Sequence, residues 1–338
     1  MEESFAPLAG TALAAGGAFG YCAQRGGFCL VRAWSNLVLT GDTAVARAYV
    51  LALVVAIVGL HVLIAVGAYL PALVFVDDIR VRPFPWLANV VGGFVFGLAM
   101  ILAGGCSGST WYRTGEGAVG AWIVLLGFGL GATTAGVGAL APVRRWLQQY
   151  TLAFEDRPVT LGSLLGVGPW PVIAVVVVAA AAWLLRGDAE PEHGKWRWPV
   201  TGVAMGLVTV LGWYLSSFGR TPVGITFAEN TGHLLTYPLV WFPTRVTWSM
   251  LMLLGVPVGA AIAAWRSDQF AWKLPPATTI VQLFGAGLVM GIGALIAQGC
   301  NITQGLTNAA TLALGSLTAF AAMLAGGWVG LWALVLRR

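Results

Sequence analysis

Charge is what this sequence most lacks. Only 9% of its 338 residues are Asp, Glu, Lys or Arg, while 58% are hydrophobic; ordinary soluble domains carry about 25% charged residues. So few charges cannot cover a soluble protein of this size, so lipid is the expected solvent for most of the chain. The 18 Lys and Arg give a net charge of +5, but they are scattered singly between apolar segments, which excludes a nucleic-acid footprint. Cysteine is scarce as well. Cys22, Cys29, Cys106 and Cys300 form no Cys-x-x-Cys pair, and no nearby histidines complete a metal set, so neither a disulfide framework nor a metal centre is indicated. Walker, Rossmann, kinase and HExxH patterns are absent, and no cofactor is expected. The opening Met-Glu-Glu-Ser-Phe lacks a basic n-region, so the first apolar stretch is expected to be retained.

What the chain has is long apolar runs. A membrane-spanning helix needs about 20 apolar residues. Candidate spans fall near 7–23, 48–71, 86–104, 118–141, 163–185, 199–216, 246–265, 278–298 and 309–335. The expected fold is therefore all-α and integral to the membrane, with about nine transmembrane helices. Loops carrying charge or proline separate them, such as Asp77-Asp78-Ile79-Arg80 and Glu190-Pro191-Glu192-His193. With the N-terminus outside, Arg25, Arg32, Arg47, Arg113, Arg186, Lys195, Arg197, Arg266, Lys273, Arg337 and Arg338 fall on the cytoplasmic side. The positive-inside rule then favours N-out, C-in. Trp86, Trp170, Trp196 and Trp198 near span ends suit interfacial belts.

The chain repeats itself. Gly97, Ala103, Gly105 and Cys106 match Gly291, Ala297, Gly299 and Cys300 at a constant offset of 194 residues. A weaker match, 25–33 against 220–228, has an offset of 195. Each half holds four spans, residues 1–145 and 199–338, with a one-span linker at 146–198. An odd linker inverts the second half, and inverted repeats place binding sites near the midplane where helices break.

The breaks carry the polar chemistry. Gly104-Gly105-Cys106 is followed by Ser107-Gly108-Ser109-Thr110, and Gln298-Gly299-Cys300 by Asn301-Ile302-Thr303-Gln304-Gly305. Non-helical backbone at membrane depth is tolerated only where it is buried in protein or lines a cavity. A half-helix starting there turns its first N–H groups toward the break and favours anions. A third break, Tyr21 to Cys29, is followed by an apolar stretch around Leu30 to Val38, too short to cross and read as re-entrant or interfacial. Gly-rich helix ends also serve close packing alone, and Cys22 reads as a small inert hydrophobe. His61, within the second span, is either functional or a neutral histidine bonded to a neighbouring helix. His193 and His233 are expected in surface loops, and Arg113 and Glu116 as a local ion pair at a membrane face.

Gly27-Phe28-Cys29, the Gly105-Cys106 pair with Arg113-Thr114-Gly115-Glu116-Gly117, and Gly299-Cys300-Asn301 resemble the YeeE/YedE family of membrane sulfur transporters over nearly the whole chain. The resemblance implies uptake of thiosulfate, with selenium or other sulfur compounds as alternative cargo, through an inner membrane. It implies a narrow, hourglass-shaped path in which Cys29, Cys106 and Cys300 pass the anion by thiol hydrogen bonds. Gly105, Gly299, Asn301 and Arg113 would support them, and a cytosolic sulfur-carrier protein would be a partner. A neutral S–H is a weak donor, so each contact releases easily; a thiolate would repel the dianion. The competing expectation is a membrane thiol oxidoreductase or sulfurtransferase with the cysteines as nucleophiles, although the chain shows no close Cys pair or nearby base.

Overall fold

The computed structural model describes residues 5–67, 83–153, 158–186, 194–217, 223–240 and 246–333. Asp77 to Arg80, Glu190 to His193, Arg220 to Pro222, Arg337 and Arg338 lie outside them. Within the described residues the chain is helical, without a named strand. The helices are α1 (Phe5–Gly26), α2 (Leu30–Leu39), α3 (Ala44–Ala65), α4 (Trp86–Leu102), α5 (Ser107–Gly115), α6 (Val119–Gly136) and α7 (Ala141–Gln148). They continue as α8 (Leu161–Leu165), α9 (Pro169–Leu184), α10 (Trp198–Ser216), α11 (Ala228–Val240), α12 (Trp248–Arg266), α13 (Ala277–Ile296) and α14 (Leu314–Leu331).

Seven described stretches are long and apolar enough to cross a membrane: α3, the α4–α5 stretch, α6, α10, α12, α13 and α14. The expected spans at 7–23 and 163–185 fall on helices that do not meet this standard. α1 has 22 residues but is not among the seven, and α9 is a 16-residue apolar helix. Gly166, in left-handed conformation with φ 67°, closes α8, and Pro169 opens α9 at a position that needs no N–H. One expected span is thereby split in two. His233, expected in a loop, lies within α11.

Small residues set how closely the helices approach. α4 lies against α14, α6 against α13, α1 against α12, α3 against α10, and α4 against α13. A Cβ placed on Gly97 of α4 would stand 2.1 Å from the Met323 carbonyl oxygen of α14. A Cβ on Gly291 of α13 would stand 2.1 Å from the Phe128 carbonyl oxygen of α6. The backbones touch there, and only glycine permits it. Gly97 and Gly291 are 194 residues apart, and their contact residues Met323 and Phe128 are 195 apart. Arg47 of α3, 5% exposed, ties α9 in: it donates to Thr43 Oγ1 (2.9 Å), the Leu184 carbonyl (3.0 Å) and the Arg186 carbonyl.

Candidate functional site: three buried thiols at two helix breaks

Helices α4 and α13 end alike. Gly104 takes φ 65° and Gln298 takes φ 59°, both left-handed. Gly105 N–H donates to the Met100 carbonyl (3.2 Å) and Gly299 N–H to the Ala294 carbonyl (2.8 Å), each five residues back. This is the Schellman closure, in which the left-handed residue turns the chain and the next N–H satisfies an orphan carbonyl. Glycine adopts that conformation freely; Gln298 does so against Cβ sterics. Each turn then delivers a cysteine.

Cys106, 1% exposed, is extended (φ −81°, ψ 169°) at the start of α5. Ser109 Oγ and Thr110 Oγ1 both donate to its carbonyl at 2.9 Å. Cys300, 0% exposed, starts the second re-entry, and its Sγ is 3.4 Å from Thr303 Oγ1. There the regular helix fails. Asn301 and Ile302 lead into a π-helical turn, Thr303–Thr307, then a 3-10 turn, Ala309–Thr311, where the first half has the continuous helix α5. The two breaks meet directly: Ser107 Oγ donates to Asn301 Oδ1 at 3.1 Å.

Cys29 caps the start of α2 in extended conformation. Its thiol donates to Ser109 Oγ at 3.2 Å, and the Ser109 hydroxyl in turn donates to the Cys106 carbonyl at 2.9 Å. The structure thus brings Cys29 onto the first break. Cys22 differs: it is half-buried in α1 and packs against the edge of the apolar core.

Tyr49 is the residue that sequence reasoning missed. It sits in α3, 5% exposed, with its ring parallel to Phe28 (5.0 Å, 7°) and Phe320 (5.6 Å, 6°). Its hydroxyl donates to the Asn301 carbonyl at 2.9 Å. The available signal was a tyrosine inside an apolar span, since a buried phenol needs a hydrogen-bond partner.

Two cavities lie near the breaks, one lined by Gly299 and one by Gly26. One of about 530 Å³ reaches the second break at Gln298, Gly299, Thr303 and Gln304, and is also lined by Arg144 and His233. The other, about 280 Å³, lies beside Gly26 at the end of α1 and is lined by Arg32, Asn36, Asp42, Lys195 and Trp196. Arg113 and Glu116 do not pair with each other. Arg113 reaches back along α5 to the Gly104 carbonyl (3.1 Å), a free acceptor left by the break. Glu116 pairs instead with Lys195 Nζ at 3.8 Å. Lys195, ahead of α10, also donates to the Gln24 carbonyl (2.9 Å) and Gln269 Oε1 (2.8 Å). Burial lowers its pKa from 10.5, with Glu116 opposing the shift. His61 uses Nδ1 on the Ile57 carbonyl of its own helix (2.8 Å) and stands edge-on to Trp170. That bond lies within α3, rather than to a neighbouring helix, the expected alternative to a functional histidine.

Residues 25–329 match a family model described as sulphur transport. The chain is 32% identical to the thiosulfate transporter TsuA of Spirochaeta thermophila, over 97% of this chain and 99% of that protein. It is 28% identical to the thiosulfate transporter TsuA of Escherichia coli, over 96% and 94%. The probable transporter YedE of Escherichia coli is 31% identical over 38% of this chain and 29% of its own length. The three cysteine motifs pointed to this same family, and with the match running through all of them the chain belongs to the sulphur transport family of membrane proteins.

Proposed function

We propose that this protein takes up thiosulfate, or a closely related sulfur compound, across the inner membrane by handing the anion between Cys29, Cys106 and Cys300. One observation carries the reading. The two Gly-Cys breaks are joined by the Ser107–Asn301 hydrogen bond, and the Cys29 thiol is bonded to the first break at Ser109. Three thiols, each no more than 6% exposed, thus form one buried series. One cavity is lined by Gly299, the residue before Cys300, and another by Gly26, three residues before Cys29. These placements support an hourglass path with the thiols at its waist. Gly105 and Gly299 make the turns, Arg113 satisfies the Gly104 carbonyl, and Asn301 joins the halves.

Hydrogen bonds from S–H donors are weak. An anion held by such groups is desolvated stepwise without being trapped, which suits passage rather than turnover. The chain is accordingly a transporter and not an enzyme, in keeping with relatives named as thiosulfate transporters. Residues 1–145 and 199–338 are two inverted repeats about the linker 146–198, with the N-terminus outside and the C-terminus inside. The exchange of partners between α4–α14 and α13–α6, down to Gly97 on Met323 and Gly291 on Phe128, supports that symmetry. Anion leaving beside Gly26 would be received by a cytosolic sulfur-carrier protein. The test is uptake of labelled thiosulfate into liposomes containing this chain alone. Uptake above protein-free liposomes is expected, and its absence would refute the proposal.

A further inference from the structure

We infer that the side-chain amide of Asn301 is a fourth hydrogen-bond donor to the anion, placed between the Cys106 and Cys300 thiols. The inference rests on the passage proposed above and adds a specificity-determining residue to it. Asn301 is 0% exposed. It follows Cys300 in the chain and is bonded to Ser107, which follows Cys106, so it stands where the two breaks face each other. Its Oδ1 accepts from Ser107 and its backbone carbonyl accepts from Tyr49. Its Nδ2 has no partner. Buried polar groups in native interiors are paired, and an exception calls for a reason.

The other donors around the breaks are already engaged. Ser109 and Thr110 hydroxyls donate to the Cys106 carbonyl, the Tyr49 hydroxyl to the Asn301 carbonyl, and Gln304 Nε2 to the Ala297 carbonyl at 2.7 Å. The amide N–H₂ of Asn301 is left without an acceptor, and Ser107 fixes its orientation by holding the carbonyl end. A passing oxyanion supplies the missing acceptor. The chemistry is complementary to the thiols: an amide N–H is a harder and stronger donor than S–H and suits sulfonate-type oxygens, whereas the polarizable thiols suit the terminal sulfur. A cargo carrying both ends is addressed by both kinds of donor.

The experiment compares Asn301→Leu, Asn301→Asp and Ser107→Ala in liposomes, with rates normalised to reconstituted protein and melting temperatures measured for each. Asn301→Leu removes the donor and is expected to slow uptake about tenfold or more. Ser107→Ala removes only the inter-break bond and is expected to cost several times less. Asn301→Asp presents oxygens to the anion and should be slow at neutral pH. Its uptake should recover as pH falls, because a protonated carboxyl again offers a hydrogen, a pH profile that a purely structural role would not produce. Uptake at the wild-type rate by Asn301→Leu overturns the inference while leaving the thiol passage standing, provided Cys106→Ala is impaired. Equal losses in Asn301→Leu and Ser107→Ala, with no pH rescue of Asn301→Asp, also overturn it, since the residue would then only join the halves. A wild-type protein that carries no thiosulfate defeats both proposals together.

Discussion

Replacing Cys106 or Cys300 by alanine probes the thiol series directly. Both side chains are buried, at 1% and 0% exposure, and neither thiol is joined in a disulfide. Alanine keeps a small apolar residue at each site, in the extended position of Cys106 that any side chain tolerates, so α5 and the π-helical turn should still form. What is lost is one donor to a charged group, a bond worth about 1.5–3 kcal/mol. If it is made at the top of the transport barrier, the rate falls roughly ten- to hundredfold, since about 1.4 kcal/mol is a factor of ten. Cys22→Ala, half-buried in α1 and away from the two Gly-Cys breaks, should transport within about twofold of wild type, because it removes no donor at those breaks. The double variant Cys106→Ala/Cys300→Ala adds mechanism. Stations used in sequence give a loss equal to the larger single loss, whereas simultaneous contacts multiply the two. Serine at either site keeps a donor and is expected to fall between cysteine and alanine. The assay is the initial rate of labelled thiosulfate uptake, normalised to protein in the membrane. Wild-type rates in both alanine variants would refute the thiol passage.

Gly97→Ala and Gly291→Ala should each destabilise the protein by at least about 1–3 kcal/mol through overpacking, because each new methyl meets a carbonyl oxygen at 2.1 Å. Gly285→Ala, whose methyl meets nothing within 4 Å, should instead be neutral or stabilising by about 0.5–1 kcal/mol; melting of the detergent-solubilised variants decides, and similar losses at all three sites would contradict the packing. Burial lowers the Lys195 pKa from 10.5, so above the lowered value the unfolded chain binds the extra proton. Wild-type stability relative to Lys195→Met should therefore rise with pH until about 10.5, and a difference that falls over that window refutes the burial account. Reporter fusions should find the N-terminus outside and the C-terminus inside, and both termini on one side would rule out the inverted arrangement.

The membrane setting was legible in the sequence because lipid solvation is a matter of composition: 9% charge leaves no other solvent. The Gly-Cys breaks were legible because the repeat places Gly97, Gly105 and Cys106 against Gly291, Gly299 and Cys300, and glycine followed by small polar residues interrupts an apolar helix by local chemistry. Lengths of spans were less so. Apolarity at 163–185 does not reveal that Gly166 and Pro169 divide it, nor does it show how many segments meet the length of a crossing.

Partnership across the fold was decided by tertiary structure alone. A charged pair three residues apart, Arg113 and Glu116, looked self-sufficient. The break left Gly104 with a free carbonyl for the arginine, and folding brought Lys195, 79 residues away in sequence, to the glutamate. Tyr49 carries no local mark of its bond to the second break, because its partners Phe28, Asn301 and Phe320 come from three other parts of the chain. Composition and local breaks act within a few residues and can be read in order. Which hydroxyl meets which thiol depends on helices packed at glycine contacts hundreds of residues apart, and that only the folded chain determines.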